Sequence, residues 1–193
     1  MFNVNALNVG DTVCALIRHG EKANGHFGLT EDGKAEIERV GRLVSALHKP
    51  VRLYASPESR CVETAVLMGR GIHGSIYDIQ TSTILGKPGV QVKNEEKYSL
   101  LTDRARCRDI YREWKMGLHK EAMQTAAFIR TETLRFLHET CLPHGITIYV
   151  SQSGTIACAG YSLGLTDYAA DDDDWVQFLD GFVLELYDVG CDV

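Results

Sequence analysis

The sequence predicts an α/β fold, a three-layer α/β/α sandwich with a mostly parallel central sheet and a small helical cap insertion. Apolar runs of strand length alternate along the chain with longer segments of helical period, a pattern typical of a parallel sheet covered on both faces. The length of 193 residues fits one domain. We therefore predict a single domain over 1–193, with the cap insertion at about 86–125.

The first predicted strand ends at two chemically useful side chains. Residues 12–17 (TVCALI) are short and apolar, with β-branched side chains at intervals, and Arg18 and His19 follow directly. A buried strand would deliver both side chains to the edge of the sheet. The next helix is predicted over 31–48, because Thr30 is a suitable N-cap and the apolar residues fall on one stripe.

The second strand and helix bring another arginine to a favourable place. The stretch VRLYAS (51–56) predicts a strand. Pro57 predicts the start of a helix, since the missing N–H is not needed in the first turn. Arg60 then falls in that first turn, where backbone N–H groups and the helix dipole already favour an anion.

The middle of the chain is less regular. Residues 75–80 (SIYDIQ) predict a third strand, and 84–99 contain glycine and proline residues that predict a loop excursion. Residues 101–139 predict mostly helix, with a break near Gly117. We expect the insertion at about 86–125 to act as a lid over a site beside the main sheet.

The last third of the chain predicts the remaining strands. Residues 146–151 (ITIYVS) have the strongest strand pattern, and a helix of small residues follows over 155–165. Residues 182–189 (FVLELYDV) alternate like a strand at a sheet edge. Asp171–Asp174 predict a solvated loop, because four adjacent carboxylates repel one another and the alternating spacing of a calcium loop is absent.

The composition excludes several classes of function. The net charge of -6 with dispersed Lys and Arg disfavours a nucleic-acid partner, which normally requires a basic patch. The six cysteines are dispersed without a CxxC pair, so we expect buried reduced thiols and no zinc site or disulfide framework. The N-terminus lacks a signal-like segment, and no run approaches the ~20 apolar residues that span a bilayer. We therefore expect a cytoplasmic protein with no membrane partner, no cofactor and no metal, and the oligomeric state stays open.

Two arginines and a histidine form a candidate anion site. Arg18, His19 and Arg60 each stand where a strand ends or a helix begins. Guanidinium groups can bind phosphoryl oxygens in pairs, and a neutral imidazole between them can attack phosphorus to give a phosphohistidine. The alternative is that the arginines form surface ion pairs with Glu21 and Glu63 and that the histidine is simply buried. The strand-end placement of all three residues keeps the phosphate site open beside this alternative.

The surrounding motifs resemble those of the histidine phosphatase superfamily, which has the phosphoglycerate-mutase-like fold. Over nearly the whole chain, the resemblance is carried by ALIRHGEK, GLTEDGKAEIERVGRLV, LYASPESRCVETA, IYVSQSGTIA and FLDGFVLELYD. It implies that His19 is the phosphorylated nucleophile and that Arg18 and Arg60 bind phosphate. It also implies a small phosphorylated or anionic ligand, which Ser153 and Gly154 would help to bind.

The late motif departs from that family. Members carry a second histidine after the late strand, which donates to the phosphoryl group, and the LGKPG segment (85–89) resembles a subgroup in which an aspartate follows as proton donor. This chain has Gln152 and Ser153 at those two positions. A glutamine amide can donate a hydrogen bond but carries no charge. Losing one aimed donor can lower a rate by about 10²–10³, and losing general-acid help by about 10²–10⁴, so the two changes together could leave little turnover.

Other side chains are candidates for the missing roles. Glu21 follows the RHG motif directly, and Glu95 and Glu96 lie in the predicted lid, so each could supply an acid. The alternative for these glutamates is an ion pair with an arginine or a solvated pair of charges. Three histidines are candidates to replace the lost histidine: His26, His73 and His119.

Three functions remain open on the sequence. The first is a weak or specialised phosphomonoesterase that keeps His19 as its nucleophile, which we favour because a pure binder has no evident need for this histidine. The second is a pseudophosphatase that binds a ligand or a protein partner without turnover. The third is a fold repurposed for other chemistry, such as a serine hydrolase with Ser153, although Ser151 and Thr155 stand where G-x-S-x-G has glycines.

All of these functions share one expectation about the site. His19, Arg18, Arg60 and Gln152 should converge at the C-terminal ends of the strands, where ligands of open α/β sheets bind. Despite the acidic net charge of the chain, this pocket should be locally positive.

Overall fold

Five strands of the described chain form one central sheet. The computed structural model describes residues 3–8, 10–23, 28–74, 78–168 and 175–187. The strands are β1 (Val13–Arg18), β2 (Val51–Ala55), β3 (Gln80–Thr81), β4 (Ile146–Ser151) and β5 (Gly181–Glu185). Their order in the sheet is β3-β2-β4-β1-β5. Pairing is parallel from β3 to β1, and β5 runs antiparallel to β1.

Helices cover both faces of this sheet. They are α1 (Glu31–Ser45), α2 (Ser59–His73), α3 (Glu95–Thr102), α4 (Cys107–Lys115), α5 (Ala126–Thr140) and α6 (Ser153–Ser162). The apolar side chains of α1 and α2 form one core cluster with the sheet, and those of α4, α5 and α6 form the other. The predicted three-layer α/β/α fold with a mostly parallel sheet is confirmed. Within the described ranges, every helix is too short or too polar to span a bilayer.

Strand β1 shows how one segment serves both core clusters. Val13, Ala15 and Ile17 pack toward α1 and α2, whereas Cys14 and Leu16 pack toward α4, α5 and α6. None of these five side chains is more than 3% exposed, because β1 lies between β4 and β5 with helices on both sides. A strand buried on both faces needs the continuous apolar run that the sequence has here.

The first helix begins as predicted and packs closely on the second. The hydroxyl of Thr30 accepts a hydrogen bond from the Gly33 N–H at 3.0 Å, which confirms the predicted N-cap. A Cβ atom on Gly41 would lie 2.4 Å from the carbonyl oxygen of Met68. The absence of a side chain at this position therefore lets α1 and α2 approach each other on this face of the sheet.

The middle of the chain differs from the prediction in two places and agrees with it in one. Of the predicted strand 75–80, residues 75–77 lie outside the described chain. Within the rest, the strand β3 begins only at Gln80. The predicted break near Gly117 is observed and separates α4 from α5, because Gly117 takes a φ of 83° and such a left-handed residue ends a helix. The last part of the predicted loop forms α3, because the Asn94 side chain accepts a hydrogen bond from the Lys97 N–H at 3.0 Å and caps the helix.

The C-terminal elements are also shifted. The helix predicted over 155–165 begins at Ser153 and ends before Gly164, which has a φ of 73°. The predicted edge strand is observed as β5, and residues 188 and 189 lie outside the described chain, as does the acidic run Asp171–Asp174.

The cysteines follow the prediction only in part. Cys14, Cys61 and Cys158 are buried, and Cys141 is half-buried. Cys107 is exposed, because it is the first residue of α4 and lies at the surface rather than in either core cluster. Its thiol was wrongly predicted to be buried.

Candidate active site

The turns that follow β1 and β4 lie side by side at the C-terminal ends of these two strands. β1 and β4 are parallel neighbours with Arg18 opposite Ser151, and the His19 N–H donates to the Ser151 carbonyl at 3.0 Å. Gln152 and Ser153 follow directly after β4. Carboxyl ends of strands in an open α/β sheet form the crevice in which ligands bind. The structure therefore brings the two turns identified in the sequence side by side.

His19 is held as one neutral tautomer. The residue is 3% exposed, its Nδ1 lies 2.8 Å from the Gly20 carbonyl oxygen, and Arg60 Nε donates to its Nε2 at 3.1 Å. A guanidinium group can only donate, so Nε2 must accept and Nδ1 must carry the proton donated to Gly20. The lone pair of a neutral imidazole is thus located on Nε2.

The environment of His19 disfavours its protonation. Burial is the main cause that lowers its pKa to about 4; the hydrogen bond to Gly20 acts in the opposite direction, and the positive charges of Arg60, Arg18 and Lys22 add to the lowering. The ring is therefore uncharged near neutral pH. An uncharged ring with a lone pair is the form that can attack phosphorus.

Arg18 is close enough to the histidine for its charge to lower the pKa of the ring. Its Nη1 donates to the Val176 carbonyl at 2.6 Å, and its guanidinium carbon lies 4.2 Å from the centre of the Phe178 ring. Its buried Nε has no hydrogen-bond partner among the described residues. Burial and then the charge of Arg60 lower its pKa to about 10, so the group remains a cation at neutral pH. The Phe178 ring also lies next to the His19 ring, with the ring centroids 5.8 Å apart and the ring planes tilted by 49°.

Arg60 is connected to the same turn through the start of α2. This helix begins at Ser59, two residues later than predicted, and Arg60 remains in its first turn. The Thr64 hydroxyl donates to the Arg60 carbonyl at 2.7 Å and accepts from the Gly20 N–H at 3.0 Å. The Glu58 carboxylate lies 3.8 Å from Arg60 Nη1. This network places the second guanidinium against the imidazole.

The alternative ion pairs of Arg18 and Arg60 with Glu21 and Glu63 are not observed among the described residues. Glu21 accepts a hydrogen bond from the Thr30 hydroxyl at 3.1 Å. Glu63 lies 3.8 Å from Lys34 Nζ and accepts from the Leu29 N–H at 3.4 Å. The chain after β1 folds back onto the start of α1, where the Thr30 N–H donates to the Glu21 carbonyl at 2.9 Å.

A cavity of about 420 Å³ lies next to the turn that follows β4. Gln152, Ser153 and Gly154 line the part at the N-terminus of α6, and Glu58 lines it next to Arg60. The histidine and the two arginines are not among its lining residues, so they lie beside the cavity rather than in its wall. The segment predicted as the cap contributes further lining residues, among them Lys87, Pro88, Gln91, Glu95, Tyr98 and Cys107.

Gln152 points away from its own helix. It is the N-cap residue of α6 but makes no capping hydrogen bond with its side chain. A Cβ atom on Gly86 would lie 3.0 Å from the Gln152 Nε2 atom and 2.9 Å from the Ser56 hydroxyl. Gly86 also has a φ of 140°, which side chains rarely adopt. This glycine therefore gives the amide its space where the segment predicted as the cap begins.

The first part of the chain matches a known protein family. Residues 14–85 match the model of the histidine phosphatase superfamily (branch 1). That stretch contains both the RHG turn and the S-P-x-x-R segment. The predicted resemblance to the histidine phosphatase superfamily is confirmed. No curated protein matches the sequence significantly.

Solved structures show the same fold at low sequence identity. A phosphoglycerate mutase from Bacillus anthracis str. Sterne is 14% identical, with 92% of this chain and 90% of that chain covered and a TM-score of 0.53. A mycobacterial glucosyl-3-phosphoglycerate phosphatase in complex with inorganic phosphate is 16% identical, with 82% and 81% covered and a TM-score of 0.50. The chain therefore has the fold of histidine phosphatases and phosphoglycerate mutases.

The candidate acids differ in their distance from the cavity. Glu95, in the first turn of α3, lines the cavity, whereas its neighbour Glu96 is not among the lining residues. Glu21 is bonded to Thr30 at the start of α1. Of the three glutamates proposed from the sequence, Glu95 is therefore the one that lines this cavity.

The two candidate histidines within the described chain, His73 and His119, are not among the residues that line the cavity with Gln152. His119 Nε2 lies 2.6 Å from a carboxylate oxygen of Glu113, which is a residue of α4. His73 is the last residue of α2, at the opposite end of a 15-residue helix from Arg60, and such a helix is about 20 Å long. His26 lies outside the described chain.

Three polar residues of the cavity were missed by the sequence interpretation. The Glu58 carboxylate lies 3.8 Å from both Arg60 Nη1 and Lys87 Nζ. Gln91 is 3% exposed, and its Nε2 donates to the Tyr98 hydroxyl at 3.4 Å. Glu58 could have been found, because it follows the end of β2 and residues at parallel strand ends face one crevice. The loop positions of Lys87 and Gln91 carry no pattern that predicts their location.

The low pKa of His19 should appear in the stability of the protein. Since the folded pKa of about 4 lies below the ordinary value of 6.5, the unfolded chain binds more protons between these values, and stability is lost as the pH falls from about 6.5 to 4. We expect this loss to be roughly 2–3 kcal/mol. Urea unfolding at several pH values should show it in the wild type and not in His19→Gln. Equal pH dependence in both proteins would contradict the assigned environment.

Proposed function

We propose that the protein is a histidine phosphatase-type hydrolase that binds a small phosphorylated ligand and transfers its phosphoryl group to His19. One observation carries this proposal, namely the neutral imidazole of His19 with its Nε2 lone pair beside Arg60 and a second half-buried arginine, Arg18, nearby. Two cations around an uncharged nucleophile favour the binding of a dianion to the group that attacks it. Bound inorganic phosphate in the mycobacterial relative agrees with an anionic ligand.

In the first step, Nε2 of His19 attacks phosphorus. The Arg60 guanidinium moves from Nε2 to a phosphoryl oxygen, where it makes a charge-assisted hydrogen bond. An N–P bond forms as the bond from phosphorus to the ester oxygen breaks, and the electron pair leaves with the alcohol oxygen. The Nδ1–H bond to Gly20 holds the ring and stabilises the positive charge that develops on it.

In the second step, water attacks the phosphohistidine. The N–P bond breaks, its electron pair returns to Nε2, and inorganic phosphate leaves. Each step requires one proton transfer, to the alcohol oxygen and then from the attacking water. We assign these transfers to the carboxylates that line the cavity, Glu58 and Glu95, of which Glu58 is next to Arg60.

A binding function without turnover is the second candidate. Gln152 and Ser153 stand where a charged donor and an acid would be expected from the family resemblance. The N-terminus of α6 can still attract an anion, because no side chain caps it and Ser153, Gly154 and Thr155 of its first turn line the cavity. In that case the protein would hold a phosphorylated ligand at the same arginines as a pseudophosphatase.

Phosphate binding tests both forms of the proposal. Titration of the protein with inorganic phosphate should give a saturable heat, and Arg60→Ala should weaken binding by roughly tenfold or more, since hydrogen bonds to charged groups are strong. Arg70→Ala is the matched control, because Arg70 is an exposed arginine in the last turn of the same helix. Phosphate affinity that is unchanged in Arg60→Ala would remove the basis for the site.

A further inference from the structure

A second cavity of about 490 Å³ lies away from the sheet edge, between the end of α4, the start of α5 and the end of α6. It shares no lining residue with the first cavity. Its volume falls within the range of about 300–1,000 Å³ that is usual for small-molecule sites. Three lysines line it, Lys93, Lys115 and Lys120, and none of its lining residues carries a carboxylate.

The apolar wall of this cavity is already in place. Trp114 is 7% exposed, and its indole N–H donates to the Gln124 carbonyl at 2.7 Å. The Trp114 and Tyr161 rings meet edge to face, with centroids 5.7 Å apart and planes at 75°. Met123, which is 3% exposed, completes this wall. An apolar molecule could therefore bind without rearranging these side chains.

The lysines give the cavity a positive charge. Lys115 is paired with Asp167 and also lies over the Tyr161 ring, so its charge is compensated. The Lys93 ammonium donates to the Lys120 carbonyl at 3.0 Å. The salt bridges of the described residues leave Lys93 and Lys120 without a carboxylate partner. Two uncompensated cations at the rim of an apolar cavity favour an anionic occupant.

The start of α5 adds to this charge. Thr125, the N-cap of the helix, and Ala126, its first residue, both line the cavity. The first turn of this 15-residue helix contains no acidic residue, so the positive end of its dipole is not compensated there.

We propose that this cavity is a binding site for a small organic anion with a flat apolar body. The apolar body would pack against Trp114 and Tyr161, and the anionic group would lie near Lys93 and Lys120. The site is independent of the proposed phosphatase function. It contains Tyr161 near the C-terminal end of α6, whereas Ser153 at the other end lines the first cavity, and the 10 residues of α6 span about 15 Å.

The fluorescent probe 8-anilinonaphthalene-1-sulfonate tests the proposal, because it joins an aromatic body to one negative charge. The titration is done with inorganic phosphate in excess, so that the probe does not occupy the arginine site. We expect saturable binding of one probe per chain. The double variant Lys93→Gln/Lys120→Gln should weaken it by about tenfold or more, and Tyr161→Ser should weaken it by loss of the aromatic wall.

Two controls separate this site from general adsorption of the dye. Arg70→Gln removes an exposed cation elsewhere and should leave the affinity unchanged. The uncharged analogue N-phenyl-1-naphthylamine has the same aromatic body, and its affinity should not respond to the lysine variants. Thermal unfolding shows whether each variant is folded. Non-saturable binding, or sulfonate affinity that is equal in the folded double variant and the wild type, overturns the proposal.

Discussion

Replacing Gln152 with histidine should raise the rate of phosphate release by one to several powers of ten, alone or together with Ser153→Asp. The expected gain follows from the magnitudes for one aimed donor and for general-acid help. The added imidazole restores a charged donor to a site that already holds the His19 nucleophile next to Arg60, with the charge of Arg18 nearby. The double variant also supplies a carboxylic acid for the leaving oxygen.

The structure gives the new side chain a suitable place. Residue 152 follows β4 directly, beside the turn that carries His19, and Gly86 leaves room for the present amide. A histidine side chain is similar in size to the glutamine that it replaces. Phosphate release from a panel of phosphomonoesters, followed for the wild type, Gln152→His and the double variant, measures the effect.

Absence of a gain has a specific meaning. If both variants fold, bind phosphate as the wild type does and still show no increase, the site is not a weakened phosphatase. The pseudophosphatase form of the proposal would then be the better account of Arg18 and Arg60. A gain that survives His19→Ala would instead show that the restored group acts through another nucleophile.

Loss of the nucleophile is the second large effect. His19→Ala should lower any phosphatase activity by roughly 10³-fold or more, since removal of a covalent nucleophile typically eliminates most of the rate enhancement. His138→Ala, which truncates an exposed histidine on α5, should leave the rate unchanged. Initial rates at saturating substrate measure both variants.

Substitution of a buried residue could also unfold the protein, so a second variant is needed. His19→Gln keeps a side chain of similar length and should retain the fold while it removes the nucleophile. Wild-type rates in a folded His19→Gln protein would mean that phosphoryl transfer does not pass through this residue.

The fold could be predicted from the sequence where local pattern and burial agree. The continuous apolar runs before Arg18 and through ITIYVS correspond to β1 and β4, because central parallel strands are buried on both faces. Thr30 predicts the start of α1 because a side-chain cap is a local interaction. The juxtaposition of the RHG turn and Gln152 follows from the same two strands, because their parallel pairing fixes the register.

The rest depends on contacts between residues far apart in the chain. Helix α3 was missed, because its eight residues bury no side chain and so show no apolar stripe. The Glu58 carboxylate meets Lys87 across a loop, and the aromatic wall of the second cavity joins Trp114 to Tyr161. No local pattern in the sequence predicts the contact of Glu58 with Lys87 or that of Trp114 with Tyr161.

Detection of a phosphorylated enzyme tests the central claim most directly. The protein is mixed briefly with a reactive phosphate donor such as acetyl phosphate, quenched in base and digested, and the peptide with residues 14–22 is examined by mass spectrometry. The account predicts a phosphoryl group on His19 that is lost in acid and retained in base, in the wild type and not in His19→Gln. Phosphate release without any acid-labile adduct on this peptide, undiminished in His19→Gln, would contradict it.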